Sequence, residues 1–461
     1  MNVSAVRGFW PCLLAQLLLL GTVTGCVSSK TGRLLDQSYE AAAVPLRESS
    51  SKATAPELDP SEPLDEATVV AAAVAQSPTL TLLAHRARAL VHAGRAEGSL
   101  PPAELGLEIW NLPLERPYSL NEADMYMVEL RQRFPAAGSL DARARAMAEE
   151  AQALLLELRS EEHLVAQTAA DAFAEYEQAF AEKALLTEQL ELLDRMAQVA
   201  RARITTSGGL RDIARLEVEV AKVHRGLART TSDIQRSRAT LNALLRRPPL
   251  APLAEPRQAP PETVRLTIEE LLARAEAHRG GLLSADARIR AAEARHAAAV
   301  AEARVPEFMA GLGYWQDPSM RPGFGLTTSM SLPWFWGPGR HRVDQAEEET
   351  QAERAVRDGD LQGAQAEVTQ AHAALAGLEQ QLVILSQQSL PAAHRSMDAL
   401  GASLSTSSDG LLEWVDVARS VLDLELEVAV LESDLARSVA GLERAVGAPL
   451  PRVPLILEKT P

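Results

Sequence analysis

From Leu140 to Ser207 the chain contains neither glycine nor proline. Those two residues cost a helix interior most, about 1 and about 3 kcal/mol relative to alanine. The run is rich in Ala, Leu, Glu and Arg, so it predicts a single helix of ~100 Å. An element that long has no core of its own, and the rest of the chain must supply partners along it. The returning stretch, Leu210 to about Arg247, covers ~55 Å by the same rise, and the helical stretch Thr79 to Gly98, stacked end to end on it, adds about 30 Å. Paired long and split helices of this kind predict a wall roughly 90–100 Å tall.

The pattern is written twice. PLDEATVVAAAVAQSPTL from Pro63 lines up with RLTIEELLARAEAHRGGLL from Arg265, so that Leu64, Val69, Val70 and Leu80 fall on Leu266, Leu271, Leu272 and Leu282. LGLEIW from Leu105 faces AGLGYW from Ala310. RFPAAGSLDAR from Arg133 faces SLPWFWGPGRHR from Ser331. GGLRDIARLEVEV from Gly208 faces DGLLEWVDVARSV from Asp409. Each copy reads as helix, strand pair, long helix, Gly-rich turn, helix. Repeat 1 spans 63–247 and repeat 2 spans 263–450, with a proline-rich linker over 248–262 and a C-terminal tail over 451–461. The Gly208-Gly209 pair is expected to let the long helix fold back as a hairpin.

Apolar residues three and four apart mark the packing seams. In repeat 1 they are Ile213, Leu216, Val220, Val223, Leu227, Thr230 and Ile234; in repeat 2 they are Trp414, Val417, Val421, Leu424, Val428, Leu431 and Leu435. Leu186, Leu190, Leu193, Ala197, Ala200 and Ile204 supply a facing seam on the preceding helix. Alternating threes and fours are the coiled-coil pattern. Only 4% of the 461 residues are aromatic, which suits long helices better than an ordinary globular core. The net charge of −16, with no basic run to offset it, argues against a nucleic-acid partner.

The strand segments alternate. In YMVELRQRF, Tyr126, Val128, Leu130 and Phe134 share one face and Glu129, Arg131 and Arg133 the other. In FGLTTSMSL, Phe324, Leu326, Met330 and Leu332 oppose Gly325, Thr327, Ser329 and Ser331, while FMAGLGYW is small and apolar on both faces. Strands of about nine residues, apolar on one side and polar on the other, suit a barrel with lipid outside and water inside. They equally suit a half-buried hairpin on a soluble domain. Four strands cannot close a barrel, which needs at least about eight, so either the hairpins are soluble or several chains pool their strands. Three chains would give twelve.

The N-terminus has Arg7, an apolar run from about Leu13 to Leu20, and small residues leading to Cys26. That is the layout of a secretory signal, too short for a transmembrane helix. Val23-Thr24-Gly25-Cys26 resembles a bacterial lipobox, whose cysteine takes a diacylglycerol thioether and an N-acyl chain; an ordinary cleaved signal with a chance cysteine is the plainer reading. Residues 1–25 are thus expected to be signal peptide and 26–62 a lipidated flexible tether with little core of its own. Cys12 lies inside the signal, which leaves no thiol pair for a disulfide or a thiolate metal site. After the signal no run of about 18 apolar residues occurs.

The doubled layout, the strand-exit motifs FPAAGSLDARARA and LPWFWGPGRHRVDQAEEE and the turn motifs GGLRDIARLEVEV and DGLLEWVDVARSV resemble the TolC family of bacterial outer-membrane efflux factors over about residues 60–450. LPWFWG looks most like the heavy-metal-export branch. The resemblance implies a mainly α chain with a small β part: two tandem repeats forming long coiled-coil hairpins, and four strands per chain joining a homotrimeric twelve-stranded barrel. It implies an exit duct in the outer membrane with its helical part in the periplasm, working with a periplasmic adaptor protein and an inner-membrane transporter such as an RND pump. The Gly-rich turns, with Gly208, Gly209, Leu210, Gly410 and Leu411, would be the adaptor-docking tip. Asp416 matches a position where family members carry a pore-narrowing acid, but the position one turn on is Arg419 and the repeat-1 equivalent of Asp416 is Arg215. This departs from an acidic ring. It lets Asp416 and Arg215 pair around the aperture; a solvated helix face without a gating role is the bland reading. Glu413 and Asp212 are secondary gate candidates.

No P-loop, GxSxG or HExxH is present, so nothing points to an enzyme or a cofactor. His341 with Asp344 makes two ligands without a third, and no metal site is expected. Trp334, Phe335 and Trp336 sit where strand meets helix and are candidates for membrane-boundary aromatics, or for core packing beneath the strands. A periplasmic lipid-anchored coiled-coil scaffold without channel activity is the alternative to the duct. The strands discriminate the two, since only the duct needs them in lipid.

Overall fold

A computed structural model describes residues 27–50, 62–112, 114–116, 118, 122–202, 207–317, 321–333, 337–404 and 411–455, leaving aside the side chains of 48–50, 199, 202, 207–212, 403, 404 and 412. Its helices are α1 (Ser29–Ser50), α2 (Glu66–Gln76), α3 (Pro78–Glu97), α4 (Ser139–Ala202), α5 (Ser207–Leu244), α6 (Ile268–His278), α7 (Gly280–Arg304), α8 (Gly339–Ile384), α9 (Leu390–Leu404) and α10 (Leu411–Val446). Its strands are β1 (Glu104–Trp110), β2 (Met125–Phe134), β3 (Glu262–Val264), β4 (Phe308–Gln316), β5 (Gly323–Met330) and β6 (Arg452–Pro454). The glycine- and proline-free run forms one helix, the 64-residue α4. The duplication holds to the residue: α2 ends at Gln76 and α3 begins at Pro78, and 202 positions on α6 ends at His278 and α7 begins at Gly280.

Both breaks have local causes. Ser77 precedes Pro78 and is extended, as a residue before proline prefers. Arg279 is extended too, and its guanidinium is held by the Ala445 carbonyl at 2.9 Å and the Glu367 carboxylate at 2.5 Å. Gly447, at φ +74, passes so close that a Cβ would lie 2.7 Å from the Arg279 Cα. Between α8 and α9 the helix widens into one π-turn, Leu385–Ser389. Pro391 follows it, and re-registering the ladder there accommodates a residue with no N–H.

The described residues divide into two compact units, one within 27–44, 83–156 and 283–359 and one within 45–82, 157–282 and 360–455. In the first, β1, β2, β4 and β5 form an antiparallel sheet in that order. The helices beside it are cross-linked by arginine–carboxylate pairs: Arg143–Glu302, Arg290–Glu149 and Arg295–Glu150 join α4 to α7, and Arg354–Glu293 and Arg357–Asp286 join α7 to α8. Buried alanines, among them Ala144, Ala148, Ala287 and Ala291, let these helices approach closely.

Residues 29–50 correct the expectation of a flexible tether over 26–62. They form α1, and Leu35 packs with Val91, Ala148 and Ala151. The Ser28 amide donates to Asp141 at 2.7 Å, Asp36 pairs with Arg95, and the Tyr39 ring lies under the Arg88 guanidinium at 4.1 Å. The apolar spacing Leu34/Leu35, Tyr39, Ala42/Ala43 is helical, and burial of that stripe outweighs the polar composition.

In the second unit three apolar clusters lie along the helices. One joins α6, α8 and α10 around Leu271, Leu375, Leu382, Leu435 and Leu442. Another joins α2, α4 and α5 around Val69, Tyr176, Ile234 and Leu241. The proline-rich linker is packed rather than loose: Leu253 is buried, and Leu64 exchanges backbone hydrogen bonds with Glu255 and Arg257. The tail is likewise fixed at its start, β6 pairing with β3.

Candidate functional site

The four-stranded sheet reverses the usual sense of burial. Leu105, Leu130, Leu312 and Leu326 are register partners across all four strands, and all four are exposed, Leu105 at 74% and Leu326 at 76%. Leu107, Val128 and Phe324 extend the same outward face, while Tyr314 of the next row is half-buried. The opposite face is polar and small. Glu129 is 4% exposed and accepts from Arg131 at 2.8 Å, and Arg131 reaches Glu108 at 3.1 Å. Gly106 and Gly313 flank Glu129 in register, and Gly311 leaves room for its carboxylate. Trp315 lies on Gly323 and Gly325, where a Cβ would meet the ring at 2.9 and 2.3 Å. A sheet with its large apolar residues outside and its charges inside has the sidedness of a strand set in lipid. Among the described residues both outer strands, β1 and β5, have an unpaired edge.

The second candidate region is where the helical hairpins turn. Leu186, Leu193, Leu216, Val223, Trp414, Val415, Ala418 and Leu422 form one buried cluster there. In repeat 2 the buried stripe is wider than the expected seam, taking in Val415, Ala418 and Leu422, because α10 packs on both α9 and α5. On its surface Arg215 of α5 donates to both carboxylate oxygens of Asp416 of α10, at 2.7 and 3.0 Å. The two gate candidates thus meet within one chain. Arg419 instead faces Asp423 at 3.9 Å, and Glu413 is exposed. Gly208, Gly209 and Leu210 lie in the first turn of α5, and residues 203–206 before it lie outside the described residues. Leu411 opens α10. The Asp212 side chain, Gly410, Trp334, Phe335, Trp336 and Cys26 lie outside the described residues.

A third feature had no sequence signal. In the second unit a groove of about 1710 Å³ runs between α2, α4, the linker and α10, lined by Glu177 and Glu432 among others. Burial pushes the Glu177 carboxyl up to about 7, Glu66 and Glu432 adding to the rise while the Ala259 amide opposes it. Burial raises Glu432 as well. Nothing in AFAEYEQAF or AVLESDLAR distinguishes these glutamates from solvated ones, because what buries them comes from other elements.

Among the described residues no group of three or more His, Cys, Asp or Glu is placed to share a metal ion, and no single helix is long and apolar enough to cross a membrane. The bent pair of α2 and α3 meets that test by length and composition alone.

Residues 271–448 match the outer membrane efflux protein family. No curated protein matches the chain. Among solved structures the chain is similar to CusC, with a TM-score of 0.72 at 16% identity over 83% of this chain and 92% of that one. The MtrE outer membrane channel of Neisseria gonorrhoeae, in its open state, matches at 0.69 and 19% identity over 84% and 89%. The outer membrane protein VceC of Vibrio cholerae matches at 0.68 and 19% identity over 83% and 96%. At these identities the likeness is one of fold, and the fold is that of the TolC-type outer-membrane channels.

Proposed function

We propose that the chain is a member of the outer membrane efflux protein family, whose model matches residues 271–448, and that it is the outer-membrane exit duct of a tripartite efflux system. The observation that carries the reading is the outward row Leu105, Leu130, Leu312 and Leu326 on an open sheet with two unpaired edges. An open sheet leaves edge N–H and C=O groups unpaired, and hydrocarbon cannot satisfy them. Three copies joined edge to edge give twelve strands and remove every edge. The polar face, with Glu108, Glu129 and Arg131, then lines a water-filled lumen.

On this reading the duct does no bond chemistry. An inner-membrane transporter such as an RND pump supplies energy, and a periplasmic adaptor docks at the hairpin turns near Leu210 and Leu411. Arg215 and Asp416 hold the turn ends of two hairpins together in the resting state, opposite charges closing where like charges would repel. Cys26 carries the lipid, and α1, which begins three residues on, holds the anchor close to the fold rather than at the end of a loose tether. The substrate is not encoded in a tight pocket, since selection belongs to the pump.

The test is the mass of the full-length protein extracted from outer membranes in mild detergent, with detergent and lipid subtracted. Three chains per particle support the pooled barrel. A single chain, released without detergent once Cys26 is changed to serine, overturns the duct and leaves a tethered scaffold.

A further inference from the structure

At one end of the four-stranded sheet the strands run into helices, and exposed bases gather there. The Ser331 amide donates to the Glu307 carbonyl at 3.0 Å and the Glu307 amide to Ser331 Oγ at 2.9 Å, which ties the start of β4 to the end of β5. Next to them α7 ends and α8 begins side by side, since a Cβ on Gly339 would lie 3.0 Å from the Ala303 Cβ. Arg304, Arg340 and Arg342 thus sit on two adjacent helix ends, and all three are exposed. Beyond β2, the Ser28 amide donates to Asp141 in the first turn of α4. Helix α1 therefore starts at the same end of the sheet, with Lys30 and Arg33 exposed in its first two turns.

The acids at this end are already engaged. Glu97 and Glu302 both pair with Arg143, at 3.8 and 2.5 Å, and Asp141 holds the Ser28 amide. Glu307 is half-buried, and Asp344 lies 3.9 Å from Arg340. Lys30, Arg304 and Arg342 form no ion pair among the described residues, and Arg33 donates only to the Ser29 carbonyl of its own helix. Helix stability does not account for Arg340 and Arg342. The first turn of α8 has no acid, and cations at a helix N-terminus oppose its dipole. The turns at the opposite end of the sheet, 111–124 and 317–322, have the reverse sense, with Glu115, Glu122, Asp124 and Asp317 against Arg116 and Arg321.

We propose that Lys30, Arg33, Arg304, Arg340 and Arg342 form a collar that binds the phosphates of anionic phospholipids, in the leaflet that meets the helical end of the sheet. The inference rests on the duct reading, which sets the outward leucine row in hydrocarbon. Phe308 and Met330, register partners at the strand ends, are each 51% exposed and carry that apolar face up to the collar. Arg304 precedes Phe308 by four residues, so the bases stand where hydrocarbon gives way to headgroups. Long basic side chains lay their methylenes on apolar surface and keep the charge at that boundary. Guanidinium pairs with phosphate through two parallel hydrogen bonds. The apolar face beside the collar holds acyl chains, which favours a phosphate carried on a lipid over a free one.

The test is native mass spectrometry of the full-length protein in mild detergent, mixed with equal amounts of phosphatidylglycerol and phosphatidylethanolamine. Retained phosphatidylglycerol is expected to exceed phosphatidylethanolamine at least about fivefold, the gain that one base near an anionic surface gives. Added sodium chloride should reduce the preference. Arg304→Gln with Arg342→Gln should lower it at least about fivefold, while Arg116→Gln with Arg321→Gln, at the opposite end, should leave it unchanged. Inorganic phosphate in excess should not displace the bound lipid. Equal retention of the two lipids, an equal loss in both double variants, or displacement by inorganic phosphate would each overturn the collar. If the Arg304 and Arg342 variant fails to fold, Lys30→Gln with Arg33→Gln on the surface of α1 decides. The two readings fail differently. A single chain released without detergent removes the duct, whereas a trimer that retains both lipids equally removes only the collar.

Discussion

At the scale of single residues, Arg215 and Asp416 show how far a sequence can place a site. They are 201 positions apart, the spacing of the repeat, so the duplication itself marks them as equivalent points on two hairpins. The pair is about half exposed on both sides, and such pairs contribute no more than about 1 kcal/mol to stability. Asp416→Ala should therefore leave the thermal midpoint within a few degrees of wild type while raising resting conductance in a planar bilayer. The exchanged pair, Arg215→Asp with Asp416→Arg, should restore the low value. Conductance unchanged in Asp416→Ala would count against a gating role. Glu177 is the opposite case, a residue whose character no neighbour in sequence reveals. Its carboxyl sits at about 7 in the fold, well above its ordinary value near 4.5. The folded chain thus holds an extra proton between those values, and stability from this group is full below about pH 4.5 and lost as pH rises through about 7. Glu177→Gln should flatten that fall, so its melting temperature should exceed wild type at pH 8 and match it at pH 4.5. A parallel offset at both pH values would mean the shift lies elsewhere.

Among elements, the long helices were legible because their signals are local: no breakers, a regular apolar stripe, and the same order twice. The strands were legible for the same reason, alternation being a period-2 property of a few consecutive residues. Helix α1 was not, because its composition is polar and its stripe is short. Its burial also depends on glycines some sixty residues away. A Cβ at Gly94 would meet the Leu35 Cδ2 at 2.7 Å and the Ala144 carbonyl at 3.3 Å, and one at Gly98 would meet Val27 at 2.3 Å. The small residues on α3 are what let α1 lie down. Gly94→Leu should push α1 off its seat, at a cost of about 1–3 kcal/mol for overpacking. Limited proteolysis should then cut within 29–50 at protease levels that leave the native chain whole. An unchanged digestion pattern would show that α1 does not depend on this contact.

For the whole molecule, the sidedness of the sheet outweighs any single pair, because it decides which solvent the strands meet. Leu326 and Thr327 are consecutive on β5 and project to opposite faces, Leu326 in the outward leucine row and Thr327 opposite Gly311 on the polar face. Both are exposed in the single chain, so a soluble sheet would tolerate arginine at either. A sheet set in lipid would not. Arginine on the lipid face of a barrel costs about 2–4 kcal/mol near the bilayer midplane, and three chains multiply that cost, whereas a lumen position costs little. Leu326→Arg should therefore reduce detergent-extractable trimer in the outer membrane severalfold. Thr327→Arg should assemble normally and alter conductance instead. Equal yields from the two variants would mean that neither face meets lipid, and the outward leucine row would then need a protein partner to cover it.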